Sequence, residues 1–117
     1  MHTIAVVDDD VRVLESLENL LESAGYAVRL YASGRALINA GVSDIDGLIA
    51  DIGMPGMSGF ELHDLVRPMR SALPVFLITG RQEVGDDERA RVRGVAGFFQ
   101  KPFDGPALLA AVAHALR

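Results

Sequence analysis

Hydrophobic positions fall into short blocks separated by charge and glycine, and the spacing within the blocks alternates between continuous and helical. Residues 3–7 (TIAVV) are a β-branched run that stops against three aspartates, the pattern of a buried strand emerging at a sheet edge. Val13, Leu17, Leu20, Leu21 and Ala24 then recur on one face of a helix, and Gly25 stands where that helix closes. In this register Leu14 points aside from the buried stripe. YAVRLY reads as a second strand, Ser33 caps a short helix to about Ala40, and Gly41 to Asp46 form a loop. GLIA leads a third strand into Asp51. After the turn GMPGMSG, FELHDLV is helical until Pro68, which lacks a backbone donor and disfavours helix before it. VFLIT is a fourth strand. EVGDDERARVR is a charged helix ended by Gly94, and GFFQ is a fifth strand that runs through Lys101-Pro102 into a last helix, Pro106 to Leu116.

The strand blocks are apolar throughout rather than alternating, so both faces of the sheet must be covered. That predicts a parallel sheet in a three-layer α/β domain. With 117 residues, half of them hydrophobic, the chain holds one core, and a single domain over residues 1–117 is expected. A net charge of −5 argues against direct nucleic acid binding, which needs clustered cations to displace counterions. The absence of cysteine excludes disulfides and thiolate metal sites. No apolar run is long enough to span a membrane and the start lacks signal-peptide organisation, so a cytoplasmic protein is expected.

In open α/β sheets, ligands bind outside the carboxyl ends of the strands. Here those ends carry Asp8, Asp9 and Asp10, then Asp51, then Thr79-Gly80, then Lys101-Pro102. Taken singly, each is ordinary turn, cap or surface chemistry, and Asp10 reads as no more than the acid that starts a helix. Taken together, they put several carboxylates at one edge, where each raises the pKa of the others unless a cation relieves the repulsion. An all-oxygen donor set with no His or Cys selects a hard ion, and Mg²⁺ fits better than zinc. With the Lys101 charge and the Thr79 hydroxyl beside it, the set has the makeup of a phosphoryl-transfer site whose nucleophile is a carboxylate.

VVDDD, DIGMPGMSG, FLITG and FFQKPF, in that order, resemble the signatures of response-regulator receiver domains of two-component systems, over nearly the whole chain. TG after the fourth strand and phenylalanine at position 98 are similar to the FixJ-like receivers. The resemblance implies a flavodoxin-like (βα)5 fold with strand order 2-1-3-4-5 and Asp51 as phosphoacceptor. It also implies Mg²⁺ held by Asp9, Asp51 and the Gly53 carbonyl, with Asp8 contacting the ion mainly through water. Lys101 then contacts the phosphoryl group, Thr79 moves toward it, and Phe98 is the switch aromatic. Phe98 lacks a hydroxyl, so packing alone must stabilise its inward state. Gly53 and Arg81 occupy positions that tune phosphate lifetime in the family. Glycine leaves attacking water unobstructed, whereas Arg81 screens or holds the phosphoryl group, and the sequence leaves the balance open.

The implied partner is a histidine kinase or histidine phosphotransfer protein, received beside the acidic pocket at Leu14, Pro102 and Phe103. In the last helix Leu108 and Val112 pack inward while Leu109 and Ala113 remain to face another surface. A homodimer through the fourth helix, fifth strand and fifth helix is one expectation for it. The charged fourth helix reads as a solvated face with internal pairs, and His2, His63 and His114 read as surface residues without metal-ligand spacing. Two rival functions fit the same fold class. A flavodoxin-like cofactor module wants a Ser/Thr/Gly-rich phosphate loop where this chain has three aspartates. A phosphatase using Asp51 as covalent nucleophile wants a substrate lid, and none is evident.

Overall fold

Side-chain caps set where the helices begin. Asp10 accepts a hydrogen bond from the Arg12 N–H, Ser33 from Ala36, Ser58 from Glu61 and Asp104 from Ala107. At Ser58 the Glu61 carboxylate reaches back to the cap's own N–H, which completes a capping box. The computed structural model describes residues 1–117. Strands β1 (Thr3–Val7), β2 (Ala27–Tyr31), β3 (Gly47–Asp51), β4 (Val75–Thr79) and β5 (Gly97–Gln100) alternate with five helices. These are α1 (Val11–Ser23), α2 (Gly34–Ala40), α3 (Gly59–Val66), α4 (Asp86–Val92) and α5 (Gly105–Ala115). All strand pairs are parallel and the order is β2-β1-β3-β4-β5, as the resemblance implied.

Each central strand divides its side chains between two cores. Ala5, Val7, Leu48, Ala50, Val75 and Leu77 face one cluster with Leu37, Phe60, Leu62, Val66 and Ala90 from α2, α3 and α4. Ile4, Val6, Ile49, Phe76 and Ile78 face the other, with Leu14, Leu17, Leu21, Leu108 and Val112 from α1 and α5. A two-sided sheet therefore gives continuous apolar strands, because both sides of the pleat are dry. Each fully buried Leu, Ile or Phe contributes roughly 1.5–3 kcal/mol by removal from water.

Several expectations require correction. Leu14 is 7% exposed and lies in the core rather than aside from it. Leu14, Leu17 and Leu21 form the centre of the buried face, whereas Val13 and Leu20 flank it and Ala24 is exposed. Leu14 is therefore unavailable as a partner contact. His63 is 6% exposed, not a surface residue, because it shares the inner face of α3 with Phe60 and Val66. The fourth helix starts only at Asp86: Gly85 takes a left-handed φ of 91°, so Glu83 and Val84 lie outside it. Leu109 is half-buried against the α1/α5 core and is not free to face another surface, while Ala113 is exposed. The Lys101-Pro102 peptide is cis.

Candidate functional site

The hydrogen-bond ladder carries one residue past the strands and fixes the side chains that follow. Asp8 N–H donates to the Tyr31 carbonyl at 3.1 Å, Ile52 N–H to Ile78 at 2.9 Å and Lys101 N–H to Thr79 at 2.7 Å. Asp8, Asp51, Thr79 and Lys101 are thus presented along one sheet edge, although 93 positions separate Asp8 from Lys101. The sheet order places β1 beside β3, so the first acidic run and Asp51 meet where the direction of winding reverses.

Lys101 is the central cation. Its Nζ donates to Asp8 Oδ2 at 2.9 Å and stands 3.6 Å from Asp51 Oδ2. Asp8 is fully buried, and its other oxygen accepts the Asp10 N–H at 2.9 Å. Burial pushes the Asp8 carboxyl above its ordinary value; the Lys101 and Asp10 hydrogen bonds oppose this, and the Asp51 charge reinforces it. Burial acts to depress the Lys101 ammonium, but the Asp8 hydrogen bond and the charges of Asp51 and Asp8 outweigh it and hold it above its usual range. Asp10 turns away as the cap of α1, and its carboxyl is lowered by the Arg12 N–H, as expected of a helix-start acid.

Asp8, Asp9 and Asp51 each offer a carboxylate oxygen, all within 4.8 Å of one another. Three carboxylates against one ammonium leave excess negative charge at close range, and the donor atoms are all oxygen. This chemistry fits a hard divalent cation. Gly53 N–H donates to Asp51 Oδ1 at 3.3 Å, and a Cβ at Gly53 would stand 3.9 Å from that same oxygen. Glycine therefore leaves the approach to the Asp51 carboxylate open. Thr79 is buried, and its Oγ1 accepts the Arg81 N–H at 3.1 Å, which leaves the hydroxyl proton to donate elsewhere. Phe98 lies opposite Leu77 on β4 and packs, half-buried, on the α3/α4 core.

A cavity of about 440 Å³ opens over Asp51, Thr79 and Lys101 and extends between α3 and α4 to Phe60, Arg81 and Arg89. The sequence pattern marks the first three and Arg81 but not Phe60 or Arg89. The signal was faint: Arg89 follows Asp86 by three residues, which reads equally well as an internal surface pair. Val13, Arg12, Pro102 and Phe103 line a second, shallower depression beside Lys101. Val13 occupies the place that the helical pattern assigned to Leu14.

No helix is long and apolar enough to cross a membrane. The model of the response regulator receiver domain matches residues 4–113. The transcriptional regulatory protein FixJ of Azorhizobium caulinodans is 40% identical over 114 residues, which cover 97% of this chain and 54% of FixJ. The chain thus spans about half the length of that relative. The chemotaxis response regulator CheY4 of Vibrio cholerae superimposes with a TM-score of 0.88 at 30% identity, over 99% of both chains. A BeF3-activated DrrB receiver domain gives 0.90 at 28% identity, over 99% of this chain and 97% of its own. Fold, carboxylate edge and relatives agree, and the chain belongs to the response regulator receiver domain family, the phosphoacceptors of two-component signalling, with FixJ-like receivers among its relatives.

Proposed function

We propose that Asp51 is the phosphoacceptor and that Asp9, Asp51 and the Gly53 carbonyl hold Mg²⁺ beside it, with Asp8 contacting the ion mainly through water. The observation that carries this reading is Lys101 Nζ, held between Asp8 and Asp51 at the mouth of the carboxylate cluster. An Asp51 oxygen attacks phosphorus in line, an O–P bond forms, and the bond from phosphorus to the donor's nitrogen or oxygen breaks. The displaced group leaves with that electron pair; an imidazole nitrogen takes a proton from solvent, whereas the carboxylate of an acyl phosphate donor leaves as the anion. Lys101 neutralises charge on the transferring group and orients Asp51; bound Mg²⁺ supplies further neutralisation of the phosphoryl oxygens. Asp8 keeps Lys101 in place. The domain performs its own phosphotransfer and loses the acyl phosphate slowly, without turning over an external substrate.

The donor is a histidine kinase or a histidine phosphotransfer protein. Its helix docks where Val13, Pro102 and Phe103 border the site, a surface that offers apolar contact next to the acids. After transfer the Thr79 hydroxyl donates to a phosphoryl oxygen, and Phe98 moves into the space that Thr79 leaves. The surface of α4, β5 and α5 then changes, and a second copy of the chain pairs there through exposed positions such as Val92 and Ala113. By likeness to the DrrB receiver, beryllium fluoride mimics the phosphoryl group on Asp51.

Intact mass after incubation with acetyl phosphate tests the assignment. The expected result is one hydroxylamine-sensitive phosphoryl adduct that needs Mg²⁺, disappears with EDTA and is missing in Asp51→Ala. An adduct that persists in Asp51→Ala, or forms without Mg²⁺, contradicts it.

A further inference from the structure

α4 and its C-cap carry three arginines, and two of them have carboxylate hydrogen-bond partners. Arg93 donates from Nε and one terminal nitrogen to both Asp64 oxygens at 2.9 Å and from the other to the Arg89 carbonyl at 3.1 Å. Arg91 pairs with Glu88 on the outer face. Arg89 differs. Its guanidinium lies 4.1 Å from the centre of the Phe60 ring, and its nearest carboxylate, Asp86 Oδ1, is 3.8 Å away, beyond hydrogen-bond reach. The other Asp86 oxygen already accepts the Glu83 N–H at 2.8 Å, so Asp86 is satisfied by its own loop.

Phe60 fixes where this guanidinium sits. It follows Gly59, whose missing side chain lets α3 press onto the acceptor strand: a Cβ there would meet the Asp51 carbonyl oxygen at 2.7 Å. Arg89 stacked on Phe60 thus lines the same cavity as Asp51, Thr79 and Lys101. Stacking occupies the face of a guanidinium and leaves its edge, where the N–H donors are, to meet a planar or tetrahedral oxyanion.

We propose that Arg89 is a phosphoryl-binding residue of this chain. When Asp51 carries the phosphoryl group, Arg89 stays on the Phe60 ring, leaves Asp86 and donates to a phosphoryl oxygen, tying α4 directly to the modified site. This rests on Asp51 as the acceptor. It adds a contact from α4 that neither Thr79 nor Lys101 supplies.

Titration calorimetry with beryllium fluoride and Mg²⁺ on the intact chain tests it, comparing wild type, Arg89→Gln, Arg89→Lys and Arg93→Gln. Arg93 also lies over Phe60, at 4.9 Å, and ties α4 to α3, but it does not line the cavity, so it reports what loosening α4 alone does. Loss of one charge-assisted hydrogen bond weakens binding in Arg89→Gln by roughly tenfold to a hundredfold. Arg89→Lys falls between it and wild type, and Arg93→Gln stays close to wild type. A loss in Arg89→Gln less than about threefold beyond that of Arg93→Gln overturns the assignment, since the effect is then one of helix packing. If wild type takes no beryllium fluoride, both the Asp51 reading and the Arg89 contact fall. If wild type binds and Arg89→Gln binds equally, only the Arg89 contact does.

Discussion

At Gly59 the absence of one methyl group decides how near α3 lies to Asp51. The atoms that a Cβ would strike are the Asp51 carbonyl oxygen at 2.7 Å and the Ile52 Cα at 2.9 Å, both backbone and unable to swing away. Gly59→Ala is therefore expected to destabilise the fold by about 1–3 kcal/mol, the usual cost of overpacking. A lowered urea midpoint checks this, and an unchanged midpoint contradicts the contact. The same substitution displaces Phe60, and with it Arg89. Residues such as Asp8, Asp51, Thr79 and Lys101 were legible in the sequence because each stands at the end of an apolar run, where a parallel sheet presents side chains to one edge. Arg89 was not, because its place depends on a ring stacked across two helices, and no spacing along the chain records that.

Between elements, α3 and α4 are joined by polar ties more than by a wide apolar seam. Arg93 grips Asp64, Arg67 donates to the Arg93 carbonyl at 3.1 Å, and Arg89 and Arg93 share the Phe60 ring. The Arg93 hydrogen bonds hold the Asp64 carboxyl below its ordinary value, so ionised Asp64 favours the folded state. That stability is present in full above the ordinary carboxyl range, where folded and unfolded chains are both ionised. As the pH falls the unfolded chain takes up a proton first, and the contribution is gone once folded Asp64 is protonated too. With half of the Asp64 side chain in water, Asp64→Asn is expected to cost about 0.5–1 kcal/mol at pH 7. The difference from wild type should shrink as the pH falls below the ordinary carboxyl range in urea titrations; a pH-independent difference contradicts the ion pair.

Helix registers show why part of this scale was hidden. In α1 two apolar rows share Leu17, one running through Val13, Leu20 and Ala24, the other through Leu14 and Leu21. Spacing alone does not say which row faces the sheet. The cap at Asp10 and the packing of α5 turn the second row inward, leaving Val13 beside Lys101. In α4 the apolar content is too small to mark a start, and Gly85 with its left-handed backbone moves the first turn to Asp86.

Across the whole molecule, one topological choice assembles the chemistry. Setting β1 next to β3 draws the first acidic run against Asp51, and adding β4 and β5 in turn brings Thr79 and Lys101 to the same edge. Two dry cores, one on each side of the sheet, hold that edge rigid enough to keep carboxylates at close range. With only Lys101 to offset them, the three carboxylates repel one another, so a cation bound among them would stabilise the folded chain. The parallel, two-sided sheet was legible from unbroken apolar strands, whereas the strand order came from the motif resemblance alone. The placement of Arg89 on the Phe60 ring, over the cavity that Asp51 lines, needed the three-dimensional structure.

The most direct measurement is to treat the chain with acetyl phosphate and Mg²⁺, reduce it with borohydride, and map the peptides by mass spectrometry. Reduction converts an aspartyl phosphate to the corresponding alcohol and so marks the acceptor permanently. Asp51 alone is expected to be converted. Conversion at Asp8 or Asp9 instead, or at no aspartate in a chain that carries the adduct, contradicts it.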